Sequence, residues 1–247
     1  MKNQLFGVAF VISSVAGAAA GHATTFNVTS TGVYDVGQVY LSGAIEGFGA
    51  YDKTVYAGPI VLQGTTEAGK PFSIVSYCFD LLHPIEAGFG YQAAHNYTYT
   101  SGSFSTDQST GPGTGNLLTA NQIQRMSGLA RLGASLFKSG ASDLSARMPA
   151  IQAAIWNVEY NLTASNFSNP DALGYYNTYL ARSFSGASVP GLTATNAQGQ
   201  IIGGQQGQML AAGTGVPEPA AWGMLIVGFG AVGTMARRRR PLLTVAA

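Results

Sequence analysis

One apolar stretch decides the fold, and it runs Phe72-Ser73-Ile74-Val75-Ser76-Tyr77-Cys78-Phe79. Short runs rich in β-branched and aromatic residues are typical of strands. The same texture fills residues 25–61, where runs of Val, Tyr, Phe and Thr are broken by glycines. Residues 93–104 alternate loosely around aromatic side chains and add a further strand. The N-terminal half of the chain is therefore predicted to be rich in β-structure.

The C-terminal half changes to helical periodicity. Residues 120–138 place apolar side chains at helical spacing. Pro149 suits the first turn of a second helix that runs to about Tyr160, because the missing N–H of proline costs nothing there. The run Asn169-Pro170-Asp171 is a start signal for a third helix. This element order predicts an α+β fold, with a β-rich barrel or sandwich and a helical subdomain.

The composition restricts the class of partner. Charged residues make up 9% of the 247 residues, against about 25% in an average soluble protein. Between positions 24 and 216 the chain has seven basic and ten acidic residues, so this part is weakly acidic. Nucleic-acid affinity comes largely from Lys and Arg that neutralise phosphates. We therefore expect no nucleic-acid partner.

The end of the chain has the pattern of a membrane anchor. Residues 220–236 contain no charge and predict a single transmembrane helix, at the short end of the usual length of about 17–25 residues. Trp222 lies where an interfacial aromatic residue belongs, and four arginines follow the apolar segment. Because such basic clusters stay in the cytoplasm, everything before Pro217 is expected outside.

These tail residues resemble the PEP-CTERM sorting signal of Gram-negative bacteria, in its PEPxxW form. The motif residues are Pro217, Glu218, Pro219, Trp222, Arg237, Arg238, Arg239 and Arg240. The resemblance implies an exosortase-type processing protease as a partner. It also implies transient anchoring in the inner membrane, followed by release to the cell surface or the extracellular matrix.

The N-terminus agrees with export. Lys2 is followed by an apolar or small-residue segment from Leu5 to Ala20, and Ala23 ends a suitable cleavage site. The predicted organisation is a signal peptide over 1–23, an ectodomain over 24–184, a flexible Gly/Gln/Ala/Thr-rich linker over 185–215 and a sorting signal over 216–240.

Cys78 is the only cysteine. An odd cysteine in an exported chain is a reactive thiol, an intermolecular link or a buried small hydrophobic residue. His83 and His95 are the candidate partners for a cysteine hydrolase, but no cysteine-protease signature surrounds Cys78. Two histidines and one cysteine lack typical metal-ligand spacing, so we expect neither a metal site nor another cofactor.

Two segments resemble the paired motifs of bacterial surface thioester domains. They are Tyr77-Cys78-Phe79-Asp80 at a strand end and Ile151-Gln152-Ala153-Ala154-Ile155-Trp156 in a helix. The resemblance implies an internal thioester between Cys78 and Gln152. The side chains expected to line the site are Tyr77, Phe79, Asp80, Ile151, Ile155 and Trp156.

The expected chemistry is self-modification rather than enzymatic turnover. A thiolate is a strong nucleophile, and a carboxamide supplies an acyl group that an amine can later take from sulfur. The expected target is an amine on a surface protein or an exopolysaccharide. The alternatives are a non-covalent structural protein of the biofilm matrix with the same fold and, third, an extracellular cysteine hydrolase.

Overall fold

The computed structural model describes residues 25–103, 118–186, 188–194 and 206–211. The predicted signal peptide (1–23) and sorting signal (216–240) lie outside these residues, as does the expected spanning segment at 220–236. Within the described part of the chain, none of the helices combines the length and apolar character needed to cross a membrane.

Ten strands and three helices make up the described chain. In chain order they are β1 (Thr25–Val33), β2 (Gly37–Ile45), β3 (Gly49–Ala57), β4 (Ile60–Thr66), β5 (Pro71–Cys78), β6 (Gly88–Phe89), β7 (Ala93–Ser103), α1 (Ala120–Ser139), α2 (Leu144–Tyr160), β8 (Thr163–Ser165), α3 (Ala172–Ala181), β9 (Pro190–Ala194) and β10 (Gln208–Leu210).

Six strands close into an antiparallel barrel, so the β-rich part is a barrel rather than a sandwich. The strand order is β4-β5-β10-β9-β7-β1, and β1 pairs back with β4. Each of the six strands therefore pairs with a neighbour on both sides over at least part of its length. A register shift between Val28 and Ser30 bends β1, and Gly64 of β4 lies there against the backbone of Asn27, where a Cβ atom has no room. A glycine at a bulge is a common way to turn a barrel strand.

The helices and a small sheet cover the barrel. Strands β3, β2 and β8 form a separate three-stranded sheet, and α2 packs between this sheet, α1 and α3. Thr119 and Gln122 form a capping box at the start of α1, and Gly140 ends the helix in the left-handed conformation, with φ of 64°. In α1, Gly133 lies directly against the hydroxyl of Tyr77 from β5. The helical subdomain thus meets the barrel at the strand that carries Cys78.

The structure corrects the predicted start of α2. The helix begins at Leu144, and Pro149 lies inside it, in the second turn rather than the first. Proline removes a backbone hydrogen bond there, but the helix continues because both of its sides are buried against other elements. Gln152 therefore lies in the third turn, away from the unpaired N–H groups of the helix start.

The structure also corrects the linker expected over 185–215. Within that range β9 and β10 are barrel strands, and β10 pairs with β5 on one side and β9 on the other. Val189, Leu192, Met209 and Ala211 are buried in the core. The folded ectodomain therefore extends beyond the expected boundary at 184 and includes residues 206–211.

Candidate functional site

Cys78 and Gln152 meet although 74 positions separate them. The backbone N–H of Cys78 donates to Oε1 of Gln152 at 3.0 Å, and Nε2 of Gln152 donates to the backbone carbonyl of Cys78 at 2.7 Å. Cys78 is 2% exposed and Gln152 is 1% exposed. The end of β5 and the middle of α2 thus present a thiol and a carboxamide to the same small volume.

A second pair of hydrogen bonds fixes the same two elements. The N–H of Leu81 donates to Oη of Tyr160 at 3.1 Å, and the Tyr160 hydroxyl donates to the carbonyl of Phe79 at 3.1 Å. Gln152 and Tyr160 lie about two turns apart on α2. Helix α2 is therefore hydrogen-bonded both to the last residue of β5 and to the segment that follows it. These bonds set the position of Cys78.

A cleft of about 400 Å³ reaches this pair from the surface. Cys78, Gln152, Trp156 and His83 line it, together with mainly aliphatic side chains. The rim carries Tyr56 and Phe89, whose rings pack edge to face with centroids 4.9 Å apart. Both rim side chains are more than half exposed. The thiol and the carboxamide are therefore buried, but they lie at the bottom of an open, largely apolar approach.

The expected lining residues divide into two groups. Trp156 lines the cleft with Cys78 and Gln152. Tyr77 points elsewhere: its hydroxyl donates to Sδ of Met148 at 3.3 Å, under α1. Neighbouring residues of a strand face opposite sides, so Tyr77 and Cys78 separate. The other four, which are Phe79, Asp80, Ile151 and Ile155, are buried and do not line the cleft.

The surroundings of Cys78 keep its thiol protonated. Burial raises the pKa of the thiol well above its ordinary value, and negative charge on Asp80 raises it further. The thiol donates to the backbone carbonyl of Asp80 at 3.2 Å. The indole of Trp156 opposes this rise in the pKa of the thiol, and its buried N–H has no regular acceptor among the described residues. A thiol in this state is a poor free nucleophile.

Glu159 is a second buried acid on the face of α2 that carries Gln152 and Trp156. It is 7% exposed, and within the part of the chain that the structure describes neither of its carboxyl oxygens has a hydrogen-bond partner. Burial raises the pKa of this carboxyl well above its ordinary value, with a smaller contribution from Asp80. An unpartnered buried carboxyl takes up a proton because the neutral form costs less to desolvate.

Asp80 contacts the site through its backbone and holds a histidine with its side chain. Oδ2 of Asp80 lies 2.7 Å from Nδ1 of His83 and accepts the N–H of Gly207 at 3.3 Å. Gln206 donates to the carbonyl of His83 at 3.0 Å. Burial raises the pKa of Asp80, while His83 and the N–H of Gly207 oppose the rise. Residues just before β10 thus brace the Asp80–His83 pair.

Sequence reasoning missed this pair and its support. It named Asp80 as a lining residue and His83 as a partner for Cys78, but the three-residue spacing directly after a strand was the signal for a local Asp–His contact. Gln206 and Gly207 were assigned to a linker. Nothing in their Gly/Gln-rich surroundings indicates a role beside the site.

His95 does not join the cleft. Its Nδ1 lies 3.8 Å from Oε2 of Glu86, and its ring stacks on Tyr97 at 4.9 Å between centroids. Of the two histidines expected as hydrolase partners, only His83 shares the cleft with Cys78. Over the residues that the structure describes, His, Cys, Asp and Glu form no group of three or more that would hold a metal ion.

The comparisons with known proteins bear on the end of the chain. Residues 215–240 match the family model of the PEP-CTERM protein-sorting motif. No significant match to a curated protein or to a solved structure was found. The motif indicates a protein that is exported, processed at the membrane by an exosortase and sorted to the cell surface. This chain therefore carries, at residues 215–240, the sorting motif of exosortase substrates.

Proposed function

We propose that this protein is a surface or extracellular-matrix protein that forms an internal thioester between Cys78 and Gln152. The thioester would attach the protein covalently to amines. The observation that carries the proposal is the double hydrogen bond between the Gln152 carboxamide and the Cys78 backbone, at the bottom of an open cleft. These two hydrogen bonds hold the carboxamide next to Cys78, which carries the only thiol of the chain.

The bond would form by attack of Sγ of Cys78 on the carboxamide carbon of Gln152. A C–S bond forms and a C–N bond breaks, and the amide nitrogen leaves as ammonia with the thiol proton. The N–H of Cys78 already donates to the oxygen on which negative charge develops. A fixed backbone donor at such an oxygen lowers the barrier to acyl transfer.

Burial would then protect the thioester. Both partners are at most 2% exposed, and the cleft that leads to them is lined by aliphatic residues such as Val36, Ile60 and Leu82. Exclusion of water slows the hydrolysis of a reactive acyl group. An amine on a surface protein or an exopolysaccharide would enter through the rim at Tyr56 and Phe89. Each molecule would react once, so the protein would not be an enzyme.

The sorting motif suggests how the protein would reach its site of action. A signal peptide over 1–23 would direct export, and the helix over 220–236 would hold the protein transiently in the inner membrane. An exosortase-type protease would release it near Pro217-Glu218-Pro219. The ectodomain would then act at the cell surface or in the extracellular matrix of a Gram-negative bacterium.

A second candidate is a structural matrix protein with the same fold and no crosslink. The observation that favours it is that the Gln152 carboxamide already satisfies the N–H and the carbonyl of Cys78 by hydrogen bonds alone. In this role Gln152 would fasten α2 to the end of β5. The third reading, a cysteine hydrolase, is disfavoured because the surroundings of Cys78 raise the pKa of its thiol.

The mass of the intact protein separates these candidates. The full chain, purified after export and denatured for mass spectrometry, should weigh about 17 Da less than its processed sequence predicts, because ammonia is lost. Methylamine should add to the wild-type protein, and Cys78→Ser should remove both effects. Ser76→Ala, two residues earlier on β5, is the matched control and should keep the mass deficit. A wild-type chain of full mass, with a thiol that alkylates after denaturation, would leave the non-covalent protein.

A further inference from the structure

The Asp80–His83 pair has the geometry of a proton acceptor beside the Cys78–Gln152 site. We propose that His83, oriented by Asp80, accepts the proton of the amine that attacks the acyl group. This inference rests on the proposed thioester. It gives His83 a catalytic role in the later reaction with the amine, and the thioester can form without that role. It concerns the attack by the amine, not the formation of the thioester.

The position of His83 carries the proposal. The imidazole lines the same cleft as Cys78 and Gln152, and its side chain is 19% exposed, so an entering amine can reach it. Nδ1 lies 2.7 Å from Oδ2 of Asp80. When the carboxylate accepts the Nδ1 proton, Nε2 keeps its lone pair. Nε2 has no hydrogen-bond partner among the described residues, which leaves it free to accept a proton.

The pair is held from two sides. Gly207 donates to the same carboxylate oxygen, and Gln206 donates to the carbonyl of His83. Besides His83, the titratable groups that interact with the charge of Asp80 are Cys78 on β5, Tyr99 on β7, and Glu159 and Tyr160 on α2, and burial raises the pKa of each of these four. Because these four groups stay neutral, the ionised Asp80 is the charge that orients and stabilises a protonated His83.

The reaction balances without any other reagent. The amine nitrogen attacks the Gln152 carbonyl carbon, a C–N bond forms and the C–S bond to Cys78 breaks. His83 takes the surplus proton from the amine nitrogen at Nε2, and the departing sulfur takes it up. The products are an amide on Gln152 and a free Cys78 thiol. Proton transfer by a positioned side chain is worth about 10²–10⁴-fold in rate.

The test compares two histidine substitutions in the full exported chain. His83→Gln removes the proton acceptor, and His95→Gln is the matched control, since His95 lies against Glu86 and Tyr97 outside the cleft. The mass deficit of each purified chain is measured first. The rate of methylamine incorporation is then followed by mass spectrometry between about pH 6 and 9, across the range in which histidine changes charge.

We expect all three chains to carry the mass deficit. Wild type and His95→Gln should react at equal rates, and His83→Gln should react at least about 10-fold more slowly. Its remaining pH dependence should follow the ionisation of methylamine alone. An unchanged rate and pH profile in His83→Gln would overturn the inference, and so would loss of its mass deficit, since the assigned role begins after the thioester has formed. A wild-type chain of full mass would instead remove the proposed function itself.

Discussion

The side-chain amide of Gln152 pairs at both of its ends with the backbone of Cys78, at 3.0 and 2.7 Å. A carboxamide has the donor and the acceptor needed to bond both backbone groups at once. The contact joins the last residue of a barrel strand to the third turn of a helix. It therefore serves the stability of the fold before any covalent bond forms, since the bond from Nε2 would be lost with the ammonia that a thioester releases.

This contact predicts a stability loss that is independent of any crosslink. In a Cys78→Ala background no thioester can form, and Gln152→Ala then leaves a buried N–H and a buried carbonyl unpaired. We expect Cys78→Ala/Gln152→Ala to unfold in urea with a free energy about 2–4 kcal/mol below that of Cys78→Ala. Cys78→Ala/Asn177→Ala changes an exposed position of α3 and should differ from Cys78→Ala by less than about 0.5 kcal/mol.

Two helical glycines should respond in opposite directions to alanine. A Cβ atom at Gly133 would collide with the hydroxyl of Tyr77, whereas a Cβ atom at Gly174 meets nothing within 4 Å. We expect Gly133→Ala to lower the free energy of unfolding by about 1–3 kcal/mol through overpacking. Gly174→Ala should raise it by about 0.5–1 kcal/mol, since alanine favours the helix. Urea unfolding of both chains measures this, and an unaffected Gly133→Ala would show that α1 does not press on Tyr77.

The loss of folding stability at acid pH should depend on Asp143. Its carboxylate accepts from Nε of Arg147 at 2.7 Å and from the hydroxyl of Tyr175, while Arg147 also lies 4.3 Å over the Tyr175 ring. The hydrogen bond from Arg147 is the largest cause that lowers the pKa of Asp143 below 3.8. Because the pKa of Asp143 is lower in the folded chain, the unfolded chain binds the proton more tightly. The ionised Asp143 therefore stabilises the fold at pH values above its pKa in the unfolded chain.

That stabilisation should disappear as the pH falls below about 4, through the folded pKa. Asp143→Asn should be less stable than wild type at pH 7, and the difference should shrink between about pH 4 and 2. Thermal unfolding at a series of pH values measures it. Asp171→Asn is the control, because Asp171 also precedes a helix without making a side-chain capping bond. A difference between wild type and Asp143→Asn that stays constant with pH would contradict the assignment.

The sorting motif predicts a processing defect. Replacing Pro217, Glu218 and Pro219 by alanine should leave an uncut protein in the inner-membrane fraction, detected by its larger size on an immunoblot. Replacing Thr214, which lies just outside the matched range, should leave processing unchanged. Normal release of the triple-alanine chain would show that the processing protease does not recognise these three residues.

Several elements were predictable because local signals agreed with tertiary packing. The strand expected over residues 93–104 is β7, and the helix expected over 120–138 is α1, each within one residue at either end. The motif pattern singled out Cys78 and Gln152, and the structure places them together. For the strand and the helix, the periodic side chains matched the surface that the element buries.

The errors have identifiable physical causes. Pro149 looked like a first-turn residue, but burial of α2 on both sides outweighs one missing hydrogen bond. In α3 the small Ala172 is buried and the larger Leu173 is exposed. Strand β10 has three residues, and its pairing with β5 and β9, rather than its own composition, makes it a strand.

The placement of β10 has a consequence for the order of events during export. Residues 208–210 cover the edge of β5 next to Cys78, and they precede the sorting motif by only a few positions. Because these residues come late in the chain, the edge of β5 beside Cys78 can be covered only after the elements that precede β10 have been made. We therefore expect the surroundings of Cys78, and with them any bond to Gln152 of the kind we propose, to be complete only after β10 has joined the barrel.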